Sequence, residues 1–424
     1  MFEFWEEGIS VGRRILHIDF NCFYASVECF HRPEIRAFPV AVTGDPEKRH
    51  GIILAKNELA KKFGVKTGEA IWQAKSKCPN LLCVAPHFDQ YLRFSKLGKA
   101  LYHEYSDLIE PFGLDENWVD VTGRTSNFQE AEAMAQEIRL RVHDELGITV
   151  SVGVADNKIF AKLGSDIKKP DAVTVVSPEN YREVAWRLPV EDLLFVGRAT
   201  QKRLNRFGIT TIGELANTEP SFLHAQFGKV GETLHQFANG RDTSPVQPYG
   251  AETPVKSIGN GVTAPRDLVN DADVQLTFLM LSESVAARLR ANGFRARTVS
   301  IAVRDCGLFS FTRQKKLEYP TDLTEELLTS CMQLFRANYT WQAPIRSLTV
   351  CACDLVPAEL PMQLSLFGEE ERRARKEQAE RAVDDIRKRF GYHAILRGRL
   401  MTDDQIGVMN PREEHTVHPV GYRT

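Results

Sequence analysis

In "RRILHIDF" apolar and polar positions alternate with period two, Leu16, Ile18 and Phe20 on one side and His17 and Asp19 on the other, which predicts a strand. Directly afterwards Phe23, Val27 and Phe30 recur at helical spacing. Asp19 therefore falls near a strand end, on a face where a lone acid needs solvent, a basic partner or a metal. Between Pro33 and Pro86, "PVAV" and "GIILA" read as short strands and "KNELAKKFG" as a brief helix closed by Gly64.

The stretch "FDQYLRFSKLGKALYHEYS" puts Tyr91, Phe94, Leu97 and Leu101 at helical spacing and leads into "IEPFGLDENWVDVTG". There the period returns to two, Ile109 and Pro111 against Leu108, Glu110 and Phe112, then Val119 and Val121 against Asp120, so a hairpin is expected with Asp115 and Glu116 at its tip. An amphipathic helix, "NFQEAEAMAQEIRLRVHDELG", precedes the apolar strand "ITVSVGVA", and "DNKIFAKLGSDIKKP" follows as a helix with Asp156 as its expected N-cap. Strand, helix, hairpin, helix, strand is the ferredoxin-like order. A sheet of that kind can gather Asp19, Asp115 and Glu116 at one edge.

From Pro178 to Asp242 the pattern is helical, with Gly-containing turns in "LLFVGRATQKRLNRFGITTIGELA" and "QFGKVGETLHQFANG". Such turns bring backbone N–H groups close to a phosphate, and Lys202, Arg203 and Arg206 suit that use. A small helical bundle with solvated basic residues has the same pattern, and the glycines alone leave both readings open. "RDTSPVQPYGAETPVKSIG" is linker-like. Helix, two strands, helix and strand then make a second α+β domain, whose strands carry Arg295, Arg297, Arg304, Arg313, Lys315 and Lys316, as suits a sheet lying across a phosphate backbone. A charged helix follows "QLSLFG", and the tail from Met401 has the low apolar content of disordered segments.

Composition narrows the class. The chain of 424 residues, 43% hydrophobic and 26% charged, is long enough for several cores. No long uncharged apolar run suits a membrane span, and the acidic start "MFEFWEEGIS" is unlike a signal peptide, so cytoplasm is the expected location. The net charge of −2 excludes a uniformly basic nucleic-acid binder but not local basic patches. The eight cysteines are dispersed, unlike a disulfide framework or a closed zinc site, and Cys351 and Cys353 read as one face of a strand.

Adjacent acids at a hairpin tip repel each other unless a positive charge lies between them. Three carboxylates beside lysines on a neighbouring helix suit a pair of Mg²⁺ ions holding a nucleoside triphosphate, with Lys169 of "KKP" in reach of the phosphates. The plainer reading makes Asp19 a surface acid and the other two turn residues.

"HIDFNCFYASVE", "IEPFGLDENWVDVTG" and "VSVGVADNKIFAKLGSDIKKPD" resemble, in order, the signature segments of Y-family translesion DNA polymerases, closest to the bacterial DNA polymerase IV (DinB) branch. The resemblance runs from Arg13 to about Arg399. It implies a multidomain α+β right hand: palm in 1–30 and 87–177, small fingers in 31–86, helix-hairpin-helix thumb in 178–243, linker 244–254, little finger 255–360, clamp-binding motif and C-terminal helix 361–399, and a tail, 400–424, suited to disorder. It further implies that Asp19, Asp115 and Glu116, with the Phe20 carbonyl, hold two Mg²⁺ ions and that Tyr24 is a steric gate against ribose. Phe23, Tyr24 and Lys169 would meet the nucleotide, and Gly197, Lys202, Gly228, Gly231, Arg295, Arg297 and Arg313 the DNA. Gln363-Leu364-Ser365-Leu366-Phe367 resembles the peptide that binds the bacterial sliding clamp, with a packed amphipathic connector as its plain alternative.

The chain also departs from that pattern. Glu58 and Lys61 stand where DinB-like enzymes carry a phosphate-binding Tyr and Arg, and Lys56 gives the fingers a UmuC-like feature, so Lys56 or Lys61 is expected to supply the charge as a point contact. "GLDE" replaces the commoner "SxDE", and Phe195 stands where the first hairpin glycine is usual. The expected function is template-directed, low-fidelity addition of dNTPs to a primer by a monomer; a catalytically weak DNA- and clamp-binding accessory protein is the alternative.

Overall fold

The computed structural model describes residues 12–45, 51–251, 254–360, 369–407 and 409–410, in two compact units, one of the described residues up to 251 and one from 254 onward. The first unit runs β1 (Ile15–Phe20), α1 (Phe23–His31), β2 (Val40–Thr43), β3 (Ile53–Lys56), α2 (Glu58–Lys62), α3 (Ile71–Lys77), β4 (Leu82–Val84), α4 (Phe88–His103), β5 (Ile109–Phe112), β6 (Glu116–Asp120), α5 (Phe128–Leu146), β7 (Val150–Ala155), α6 (Lys158–Ile167) and β8 (Val173–Val176). Helices α7 (Tyr181–Val184), α8 (Arg198–Arg206), α9 (Ile212–Asn217), α10 (Pro220–Phe227) and α11 (Lys229–Ala238) complete it.

Its main sheet has the order β5-β6-β1-β7-β8, with β1 antiparallel to both β6 and β7. This is the split arrangement that the order of predicted elements implies, with β8 added parallel to β7. Both faces of β1 are covered: Leu16, Ile18 and Phe20 are buried on one side, His17 and Asp19 on the other. Helix α6 lies across the His17 and Asp19 side because Gly153 of β7 lets it approach; a Cβ there would come 1.9 Å from the Ala161 carbonyl oxygen and 2.5 Å from Ser165 N. The N-cap of α6 is Asn157, not Asp156, since the Asn157 side chain accepts from Phe160 N at 2.8 Å and itself donates to Asp156.

A separate sheet, β3-β2-β4, buries Ala41 and Ile53 against Ala60, Val65 and Ala74. The helices from α8 onward share an apolar cluster with Ile159, Phe160 and Leu163 of α6. Between α10 and α11 the chain turns at Gly228, with φ 63°, and Gly231 lets the two helices close, since a Cβ there would lie 2.3 Å from the Leu223 carbonyl oxygen.

The second unit runs β9 (Ser257–Leu268), α12 (Asp271–Ala291), β10 (Phe294–Asp305), β11 (Ser310–Thr321), α13 (Thr324–Asn338), β12 (Ile345–Pro357) and α14 (Glu369–Phe390). Its sheet has the order β11-β10-β12-β9, and one face packs Val299, Ile301, Leu348 and Val350 against Phe278 and Phe335 of α12 and α13. The pattern of "SIGNGVTAPRDL" does not predict β9; pairing with β12 makes it a strand. Helix α14 is held by charge, through Glu380 to Arg290 at 2.7 Å and Arg387 to Glu283 at 3.1 Å. Among the described residues no helix is long and apolar enough to cross a membrane.

Candidate active site

Antiparallel pairing of β1 with β6 sets Asp19 directly opposite Glu116. The Phe20 N–H donates to the Asp115 carbonyl at 3.1 Å, tying the hairpin turn to the end of β1. Residues far apart in sequence thus meet through one strand pair, and all three carboxylates interact electrostatically.

Lysines answer these acids. Lys169 Nζ lies 2.6 Å from Asp19 Oδ2, and Lys162 Nζ lies 2.7 Å from Glu116 Oε2 and 3.7 Å from Asp19 Oδ2. Asp166 accepts both, at 2.6 Å from Lys169 and 3.3 Å from Lys162. Lys162, Ser165 and Asp166 share one side of α6 through their i, i+3 and i+4 spacing. His17 completes that side, with Nδ1 2.8 Å from Ser165 Oγ and Nε2 3.2 Å from Glu116 Oε2.

The electrostatics separate the three acids. Burial pushes the Asp115 carboxyl up to about 7, and the charges of Asp19 and Glu116 add to it. Asp19 is also raised, by burial first, although Lys169 pulls the other way. Burial would raise Glu116 as well, yet His17 and Lys162 together hold it below the ordinary value.

Tyr24 is half-buried on α1, its ring stacked on Tyr91 at 4.2 Å between centroids, while Phe23 stacks on Phe20 at 5.1 Å. Burial, then the Asp115 charge, raises the Tyr24 hydroxyl. In the small sheet Lys56 Nζ donates to Thr67 Oγ1 at 3.1 Å and Lys61 lies 3.4 Å from Glu58. The Cys22 thiol donates to that same Glu58 carboxylate at 3.2 Å, linking α2 to the residue that follows Phe20 and Asn21.

Gly197 caps α8, Lys202 is exposed, and Phe195 is exposed with φ 71°, a left-handed backbone that glycine adopts without strain. In the second unit Arg295 turns toward Glu377 at 3.4 Å and Asp322 at 3.9 Å, and Arg313 donates to Asn338. Arg313 lies opposite the core residue Ile301 and so shares the helix side of the sheet, whereas Arg295 is drawn to these acids although its strand neighbours Phe294 and Ala296 are the ones packed on the core. Arg297 is exposed at an irregularity of β10. Gln363, Leu364, Ser365, Leu366 and Phe367 lie outside the described residues.

Comparison with known proteins bears on this arrangement. The impB/mucB/samB family profile matches residues 18–166, its C-terminal domain residues 255–366, and the DNA polymerase-iota thumb profile residues 191–242. DNA polymerase IV of Acetivibrio thermocellus is 49% identical over 391 residues, covering 92% of this chain and 98% of its own. The chain belongs to the DinB-like Y-family DNA polymerases. DNA polymerase IV of Pelotomaculum thermopropionicum is 38% identical over 95% of this Y-family chain and 99% of its own. A solved Y-family DNA polymerase chimera shares the fold, at a TM-score of 0.72 and 24% identity over 81% of this chain and 99% of that one.

Among the described residues of this Y-family polymerase no three His, Cys, Asp or Glu side chains form a ready-made metal cage. Lys162 reaches both Glu116 and Asp19 instead, and Lys169 joins Asp19 to Asp166. The donor set nevertheless suits a divalent cation: it is all oxygen, and a cation would offset the burial, and then the repulsion from Asp19 and Glu116, that raise Asp115. Asp166, Ser165 and His17 have no role at the site in the sequence reading, which does not single out Lys162 among the lysines of the neighbouring helix. The i, i+4 pair Lys162 and Asp166 in "KIFAKLGSDIKKP" was a signal for two of them.

Proposed function

We propose that this polymerase adds dNTPs to a primer 3′-hydroxyl on damaged or distorted templates, with low fidelity, through divalent cations held by Asp19, Asp115, Glu116 and the Phe20 carbonyl. The observation that carries the reading is the strand register that puts Asp19 opposite Glu116 with Asp115 beside them. Mg²⁺ bound there would supply charge compensation for the attacking hydroxyl and the departing pyrophosphate. Lys169 leaves Asp19 for the triphosphate, Lys56 or Lys61 adds a point charge from the fingers, and Tyr24 bars the ribose 2′-hydroxyl.

In this reading the palm (1–30 and 87–177) holds the chemistry and the fingers (31–86) cover the nucleotide. The thumb (178–243) offers Gly197, Gly228, Gly231 and Lys202 to the DNA backbone. The little finger (255–360) is best served by Arg297, because Arg295 and Arg313 are engaged with its helices. The peptide Gln363–Phe367 would tether the enzyme, as a cytoplasmic monomer, to a sliding clamp.

Primer extension by the full chain and by Asp115→Asn tests the assignment. Extension by the wild type alone is expected. Equal extension by both removes the acids from the chemistry. Extension by neither favours a catalytically weak DNA- and clamp-binding protein of the same fold, a reading supported by the hold of Lys162 and Lys169 on the acids.

A further inference from the structure

Cys351 and Cys353 lie on the face of the second unit's sheet that is turned away from its core. Val350 and Ala352 beside them are buried in the core cluster, whereas both cysteines are only half-buried. Their sulfurs are 3.6 Å apart. Cys351 is flanked by Ser300 and Gly259 on the neighbouring strands, and Cys353 by Thr298 and Ser257, so the residues directly opposite the pair are small. A Cβ on Gly259 would come 3.1 Å from Cys351 Sγ, so the glycine keeps that flank of the sulfur open.

Two sulfurs bonded at about 2.3 Å to one centre stand roughly 3.5 Å apart when that centre is pyramidal, as trivalent arsenic is, and roughly 3.7 Å when it is tetrahedral. A direct S–S bond would need about 2.05 Å. The spacing therefore suits a shared third atom. Burial, with Cys351 and then Asp354 adding to it, pushes the Cys353 thiol up to about 12. At neutral pH it carries its proton, which disfavours alkylation and peroxide oxidation, since both wait for a thiolate. A reagent that brings its own proton acceptor is not so limited.

We propose that Cys351 and Cys353 form a dithiol binding site for a soft thiol acceptor, a monosubstituted trivalent arsenical. The two thiols condense with R–As(OH)₂: two As–S bonds form, two As–O bonds break, and each departing hydroxide leaves as water with one thiol proton. Arsenic stays trivalent, so no oxidant or reductant is required. Only the sheet's own geometry is used, so the site stands whether or not the polymerase reading holds.

The test uses phenylarsine oxide on the full chain, with intact and peptide mass spectrometry. One adduct per chain is expected on the peptide spanning 351–353, stable to excess monothiol and released by 2,3-dimercaptopropanol. Cys351→Ser and Cys353→Ser should each weaken retention on the order of a hundredfold, because the second bond is then no longer intramolecular. Cys306→Ser, at an exposed cysteine elsewhere, should leave it unchanged. A wild-type adduct stripped by monothiol, or retention in both serine variants as strong as in the wild type, would overturn the proposal and leave two thiols merely in contact.

Discussion

The Lys162 ammonium lies 2.7 Å from Glu116 Oε2, so a helix side chain neutralises an acid on the neighbouring strand. It also reaches within 3.7 Å of Asp19, and it does for this pair what a divalent cation would do more strongly. Removing its charge should destabilise the chain by about 2 kcal/mol, less than a fully buried pair because both groups keep some solvent. Mg²⁺ should then raise the melting temperature of Lys162→Met more than that of the wild type. Thermal melts in EDTA and in MgCl₂ check this, and equal shifts would place the cation elsewhere.

Asp115 gives a pH dependence with a definite sign. Its folded-state value of about 7 lies above the ordinary value of 3.8, so the folded chain binds the extra proton. Stability is therefore lost as pH rises from about 4 to about 7. Without divalent cations, Asp115→Asn should melt higher than the wild type, and by more at pH 8 than at pH 5. A gain independent of pH would show that this carboxyl is not held protonated.

Tyr24 is held flat against Tyr91, so its ring is positioned before any nucleotide arrives. Tyr24→Ala should raise ribonucleotide incorporation by an order of magnitude or more, a loss of roughly 1.4 kcal/mol of discrimination for each tenfold. The ratio of kcat/KM for dNTP and rNTP measures it, and an unchanged ratio would assign sugar selection to another side chain.

Phe195 has φ 71° and an exposed ring, so its backbone strain is not offset by burial of the side chain. Phe195→Gly should stabilise the helical region by about 1 kcal/mol through relief of that strain, less the entropy glycine adds to the unfolded chain. A urea-unfolding midpoint that falls instead would show that the ring is a structural support.

The strand-helix-hairpin-helix-strand order was legible because its periods are strong and local, and Asp115 and Glu116 could be placed at the tip of a hairpin between them. Strand β9 was not, because its Gly- and Pro-containing segment is extended only through its pairing with β12. The basic residues of the second sheet show a different limit. Arg313 reads as an outward basic residue in a string of letters, but its place opposite Ile301 sets it on the helix side of the sheet, and Arg295 is drawn to Glu377 and Asp322.

Residue order alone carried the element types, the acids and the family resemblance, since these depend on spacing within a few residues and on short motifs. The lysine-bridged centre needed three dimensions. Whether Lys162 and Lys169 face Asp19 and Glu116 is settled by how closely α6 lies on β1, and that distance is set by the missing side chain at Gly153, a contact between segments that no local pattern encodes.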